Sequence, residues 1–387
     1  MKKVKPINNN KQTIRTLFAS LFKNQAAIDG GRYQPWWIAV ILFFVSTIVA
    51  VIPTMVVTGR ARGSDVFKGP QYELDTGIVK FHQALETNAV DLAYRSNSEG
   101  EFELTDEGTS FIDAFPTTIS ISSLTGSIDI PFYSYSNLRE KEITNTEGVS
   151  ETVVVNFEYL RVYYTADVTA SFISGDSPIT PERALNNYLQ NLSETSINVN
   201  NFPNESITSY VILGKTEIFM AVYNPNDMAE GANAVRSAEG NVAGITSEVV
   251  INDFYKISRD GGAITPTDAD LVSKVIANWS YYVDKVNEPV RIQSFWILSG
   301  INFFLFLVLS LFIGIIFFIT TRGKYNPNRD IRFFEAMRIG AWLLLTPALL
   351  TLVVGLFMPA YAQLIYIMTL GMRTVWMSMK SVQPPAK

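Results

Sequence analysis

The chain has no cysteine. That excludes a disulfide framework, a thiol nucleophile and any cysteine-built metal site. It has one histidine, His82, so histidine-clustered zinc chemistry or a Ser-His-Asp triad would rest on that single ring. Charge is also scarce. Asp, Glu, Lys and Arg make up 17% of the 387 residues, against about 25% in ordinary soluble domains. The deficit is local, because the charge is missing from a few long apolar runs. No Walker motif, dinucleotide fingerprint, HExxH, G-x-S-x-G or metal loop occurs. Neither a fixed-period repeat nor a low-complexity tract is present.

The apolar runs organise the rest. Residues 294–320 carry no charge from end to end and lie between Arg291 and Arg322. A run of this length reads as a membrane-spanning helix, since in hydrocarbon every backbone group must bond within its own helix. Residues 37–58 form an earlier span. Trp36 and Trp37 stand at its boundary, where amphipathic rings settle, and Pro53 lies near its outer end. A cleaved signal peptide fits less well, because both the apolar run and the basic segment before it are too long. Residues 339–379 contain one charge, Arg373. One crossing takes about 20 residues, so this stretch reads as two spans, 339–358 and 359–379, joined near Met358-Pro359. Arg373 is expected to snorkel to the headgroups beside Lys380.

Net charge is −5, but its distribution is uneven. Residues 1–36 carry +6, residues 59–293 carry −17, the loop 321–338 carries +3, and the segment after Arg338 carries +3. By the positive-inside rule, 1–36, 321–338 and the tail 380–387 are cytoplasmic and 59–293 is extracytoplasmic. Trp36, Trp37, Arg322, Arg373 and Lys380 are the anchoring residues of this topology. Within the amino-terminal segment, Ile14, Leu17, Phe18, Leu21 and Phe22 form a helical stripe. It suits either the inner membrane face or packing on the protein's own cytoplasmic loops.

The acidic domain mixes helices and strands. Helices are expected over 72–92, from Thr180-Pro181-Glu182 through Leu192, and over 267–286 with Leu271, Val275, Trp279, Tyr282 and Val286 on one face. Pro289 is expected to interrupt the last of these before the following span. Strands are expected over 111–121, 127–135, 152–165 and 248–255, with a hairpin around Gly214-Lys215. No regular βαβ beat is visible, so α+β is the expected class. The whole chain is then an α-helical integral membrane protein of four spans, with a large α+β domain between spans one and two.

The remaining constellations read plainly. Gly261-Gly262 after Arg259-Asp260 is a turn, and Asp268 and Asp270 favour a helix start. His82 reads as a packed or surface histidine. Tyr133, Tyr135, Tyr159, Tyr163 and Tyr164 read as sheet core, with a sugar-stacking or protein-docking face as the alternative. Phe333–Gly340 has a weak likeness to the Glu-Ala-Ala…Gly coupling loop of sugar permeases. However, its glycine comes one place early and the spans are too few for a permease core.

Three stretches carry a family resemblance. They are LFASLFKNQAAIDGGRYQPWWIAVILFFVSTIVAVIP, RDIRFFEAMRIGAWLLLTPALLTLVVGLF, and the closing span with KSVQPPAK. Together they resemble a family of bacterial four-span membrane proteins of unknown function, often labelled maltodextrin-utilisation proteins. The resemblance implies a plasma-membrane location in a Gram-positive-type or wall-less bacterium and a link to oligosaccharide uptake. It supplies no active-site residues.

The expectation for function is a non-enzymatic accessory protein, without cofactor, metal or nucleic-acid partner. Its partners would be the lipid bilayer and other membrane proteins, such as sugar-transporter subunits. The alternatives are a sensor or signalling subunit that reads an extracellular ligand, a structural subunit of a larger membrane complex, and an envelope enzyme for which no spaced acid pair can be nominated.

Overall fold

The computed structural model describes residues 10–68, 73–144, 150–195, 208–223, 236–256, 269–322 and 329–380. Gly261-Gly262, Asp268 and the tail beyond 380 lie outside the described residues. Contacts divide the chain into two units, one of residues 1–61 and 292–387 and one of residues 62–291.

The chain opens with α1 (Asn10–Phe22), α2 (Asn24–Tyr33) and α3 (Trp36–Arg60). After a helical turn at Gly63–Phe67 come α4 (Leu74–Thr87), β1 (Val90–Ser96), β2 (Phe102–Gly108), the single turn α5 (Phe111–Ala114), β3 (Thr118–Ser123), β4 (Gly126–Thr144) and β5 (Ser150–Tyr164). A small hairpin, β6 (Phe172–Ser174) with β7 (Ser177–Ile179), precedes α6 (Pro181–Thr195), β8 (Ser209–Leu213) and β9 (Glu217–Val222). Then follow β10 (Arg236–Asn241), β11 (Val249–Val250), the turn α7 (Asp253–Lys256) and α8 (Ala269–Thr321). The chain ends with α9 (Phe333–Leu343), α10 (Leu345–Phe357) and α11 (Ala362–Lys380).

The 62–291 unit is built on a six-stranded sheet of order β10-β9-β8-β5-β4-β3. Every pairing in it is antiparallel except β5 with β8, which α6 joins as one crossover connection. Alternate side chains feed two cores, as a pleated strand requires. Leu160, Val162, Tyr164, Val211 and Leu213 pack with α4 and with Val275, Trp279, Tyr282 and Val286 of α8. Phe132, Tyr163, Tyr210, Ile212 and Phe219 pack with Leu185 and Leu189 of α6. The sheet is therefore covered on both faces, and every residue of β8 is buried. A second sheet, β11-β1-β2, joins the first core. The α+β expectation holds, and the five tyrosines line the sheet: Tyr159, Tyr163 and Tyr164 are buried, and Tyr133 and Tyr135 pack half-buried against the first core.

Several boundaries differ from the sequence reading. The first helix of this unit ends at Thr87 because Ala89 takes a positive φ of 55°, and Val90 and Leu92 belong to a strand instead. Residues 111–114 form a helical turn. The Ser110 hydroxyl accepts from Asp113 N and Asp106 accepts from Phe111 N, while the Phe111 ring stacks on Tyr164. The expected strand 248–255 shrinks to two residues. Asn252 accepts from Leu92 N at 2.9 Å and donates to Val90 O at 2.7 Å, so a side chain replaces the ladder and the backbone turns into α7. The Gly214 hairpin forms, with Leu213 opposite Ile218 rather than around a two-residue turn. Pro289 does not interrupt α8, which runs through it. The proline ring sits beside Gly244, where the lack of a side chain lets the chain approach the Lys285 carbonyl.

Among the described residues, three helices are long and apolar enough to cross a membrane: Trp36–Arg60 and Phe333–Phe357 in the other unit, and Asp270–Thr321, whose residues from Ile292 on belong to that unit. Their apolar stretches leave Val40, Ile41, Phe44, Phe304, Phe312 and Val353 exposed on their outer faces. Inside, Ile38, Ala39 and Leu42 of α3 meet Phe317 of α8 and Ala336, Ile339 and Trp342 of α9. A second cluster joins Ala50, Phe306, Leu344, Ala348 and Tyr366. Close approach depends on small residues. A side chain on Gly340 would meet the Gly314 backbone at 3.1 Å, and one on Gly31 would meet Ile339 at 2.4 Å.

Candidate functional site

In the apolar-helix unit, the unusual group is Arg373. An arginine within an apolar helix marks a function by default. The expectation that it snorkels outward is corrected by the structure. Its guanidinium turns inward and donates to four acceptors: Ser20 O and Asn24 Oδ1 at the α1–α2 junction, and Leu343 O and Thr346 Oγ1 at the α9–α10 junction.

Each junction has a reason to need a donor. α9 and α10 meet at Leu344 in a bend, which Pro347 explains. In an unbroken helix Leu343 O would accept from N of residue 347, and proline has no N–H. Arg373 Nη1 takes that place at 3.1 Å. At the end of α1, Ser20 O and Leu21 O are among the carbonyls that a helix leaves unpaired. Arg373 reaches the first, and the Thr346 hydroxyl donates to the second at 2.8 Å. A cation beside two helix C-termini also suits their dipoles. Two further contacts bind the same segments: Arg338 donates to Gln34 O, and Arg32 pairs with Asp330 at 2.7 Å. The amino-terminal helices are thus held by side chains of α9, α10 and α11. On α1 the stripe is half used, since Leu17 packs inward while Ile14, Phe18 and Phe22 are exposed.

The other expected anchoring residues scatter. Trp36 and Trp37 open α3 with exposed rings. Arg322 lies 4.3 Å from the centre of the Phe318 ring and donates to Arg329 O and Ile331 O, closing the loop between α8 and α9. Lys380 ends α11, and its side chain lies outside the described residues.

In the sheet unit, the feature that stands out is the far part of β4 and β5. A bulge between Tyr135 and Ser136 shifts the register, and bulges bend the strand that carries them. Beyond it, Ser136–Thr144 pair only with Ser150–Glu158, and among the described residues no other strand joins either edge. The ribbon would extend about 30 Å at the usual strand rise. Its base is fixed: Glu73 accepts from Asn137 Nδ2 at 3.2 Å and from Tyr135 OH, and Arg161 pairs with Glu158 at 2.6 Å. Leu138 is 69% exposed and Val154 57% exposed. Leu138 faces Asn156, two places from Val154, so the two lie diagonally on one face.

His82 is a core residue, 2% exposed. Its Nε2 accepts from Trp279 Nε1 at 2.8 Å, and its ring stacks on Tyr255. Burial pushes its pKa down to about 3, so it stays neutral.

Sequence reasoning missed both the ribbon and the inward turn of Arg373. A signal for the second was present, because a proline inside an apolar run orphans the carbonyl four places earlier. The ribbon had no such signal, since a strand that pairs on one side only reads like any other. No family model, curated protein or solved structure matches the chain.

Proposed function

We propose that this chain is a non-enzymatic, multi-pass protein of a bacterial plasma membrane. Its sheet domain acts as an extracytoplasmic interaction module, accessory to a membrane system such as oligosaccharide uptake. In this reading α3, the apolar part of α8, α9–α10 and α11 are four spans, both termini are cytoplasmic and residues 62–291 lie outside. Charge supports that arrangement, because the basic segments flank the same ends of the apolar runs.

One observation carries the interaction role: the β4–β5 ribbon, whose edges no other strand joins among the described residues, with the exposed pair Leu138 and Val154. Soluble domains usually blunt or cover such edges. A strand ladder left open is a common way to take up an extended segment of a partner.

A sensor role is the second reading. It is favoured by α8, a single 53-residue helix that carries core residues of both units, Trp279 and Tyr282 in one and Phe306 and Phe317 in the other. A structural subunit of a larger complex would rely on the spans instead of the ribbon.

The test is purification of the tagged full-length chain in gentle detergent, with mass spectrometry of what accompanies it. Transporter subunits in fixed ratio, lost when the ribbon is altered, support the accessory role. Partners retained by a ribbon variant point to the structural subunit. A chain that purifies alone sinks the accessory reading and leaves the sensor.

A further inference from the structure

A groove of about 510 Å³ runs between α3, α8 and α9. Its wall is apolar and aromatic, formed by Trp36, Val40, Phe44, Leu311 and Phe334, and the charged residue that lines it is Arg338. We infer that this groove binds one anionic phospholipid, with an acyl chain along the aromatic wall and the phosphate at Arg338. The inference rests on the membrane reading of this unit and not on the interaction role of the ribbon.

Three observations favour that occupant. First, the wall opens outward: Phe334 is 77% exposed and Trp36 66% exposed. These rings stand on the first turns of α9 and α3, where aromatic side chains meet headgroups. Second, the charge is positive and incompletely used. Among the described residues Arg338 makes one hydrogen bond, to Gln34 O, and its Nε is buried with no partner. The nearby Glu335 accepts from Arg332 N and does not line the groove. Third, the surroundings are basic, with Arg322, Arg329 and Arg332 in the segment between α8 and α9. Basic pockets between spans on the cytoplasmic side suit anionic headgroups. A second apolar helix in the groove would cover the rings but would bring no anion to Arg338. A phospholipid satisfies both.

The full-length chain is reconstituted in nanodiscs of phosphatidylcholine with a minority of phosphatidylglycerol, and the lipids that remain after release of the bulk are identified by native mass spectrometry. Phosphatidylglycerol is expected to be enriched several-fold over its bulk share. Val40→Trp fills the groove from a side chain that already faces outward, and Arg338→Gln removes the charge. Both are expected to bring the retained lipid back to the bulk ratio. Arg338→Gln also loses the bond to Gln34, so Val40→Trp, checked for folding by circular dichroism, decides the matter if the other variant is unstable. Retained lipid that follows the bulk ratio in the wild type overturns the proposal, as does enrichment that survives Val40→Trp. Displacement of the lipid by inorganic phosphate, or a dimer that Val40→Trp dissolves, would overturn it in favour of a free anion or a second copy.

Discussion

Arg373 donates to the carbonyl of Leu343, filling the place that Pro347 leaves empty four residues further along the helix. The arginine and the proline are therefore coupled. Arg373→Met would strip donors from Ser20, Asn24, Leu343 and Thr346 together, at a cost of about 3–5 kcal/mol. Pro347→Ala would give Leu343 its own helical donor. The double variant should then recover part of the loss, with a coupling of about 1–2 kcal/mol. Thermal unfolding of the four species in gentle detergent measures it. Strict additivity would mean that Arg373 does not serve the proline break.

The same cluster shows what could be read in advance and what could not. The apolar runs placed α3, the second half of α8 and the turn at Met358-Pro359, because length and missing charge leave the backbone few choices. The face Leu271, Val275, Trp279, Tyr282 and Val286 was legible for the same reason, and all five are buried. Pro289 was misread because a proline penalty is local, whereas the packing that overrides it comes from Gly244, distant in sequence. The strand at 248–255 was misread because Asn252 bonds a distant strand, which no window around it reveals. Among the anchoring residues, the place of Trp36 and Trp37 at the start of α3 and the exceptional character of Arg373 were visible. The partners of Arg373 on α1, α9 and α10 depend on the tertiary fold.

His82 makes stability depend on pH. Its pKa is pushed down to about 3 in the folded chain, from an ordinary value of 6.5. Between those values the unfolded chain binds a proton that the folded one does not, so stability falls as pH drops from 6.5 towards 3. The slope from this group is at most about 1.4 kcal/mol per pH unit. His82→Gln keeps an acceptor within reach of Trp279 Nε1 but does not titrate, so unfolding of the full chain followed by tryptophan fluorescence should show a shallower slope below pH 6.5. An unchanged slope would assign the acid sensitivity to other groups.

Gly340 sets how closely α8 and α9 pack. A side chain there meets the Gly314 backbone at 3.1 Å, and one on Gly314 meets Met337 at 2.5 Å. Gly340→Val should force the helices apart and destabilise by about 1–3 kcal/mol, the usual cost of overpacking. A Cβ added to Gly371 would point into open space, so Gly371→Ala on α11 should be neutral or slightly stabilising, since alanine favours helix over glycine. Melting temperatures of the pair give the contrast, and equal effects would argue against the close crossing.

The ribbon separates binding from stability. Leu138 and Val154 are exposed and lie on one face beyond the bulge at Tyr135, away from both sheet cores. Replacing both with aspartate removes an apolar patch and adds charge to an open ladder, a device that proteins use to prevent edge pairing. Surface changes of this kind usually alter stability by about 0.5 kcal/mol or less, so the melting temperature should hold. If the ribbon takes up a partner, the double variant should lose that partner in a gentle-detergent pull-down while the folded chain is recovered in normal amount. Glu73→Gln offers a graded control. It weakens the hold on Asn137 and Tyr135 at the ribbon's base without touching the exposed face, so it should loosen capture and not abolish it. Full capture by Leu138→Asp/Val154→Asp would remove the ribbon from the interaction surface and shift attention to the spans.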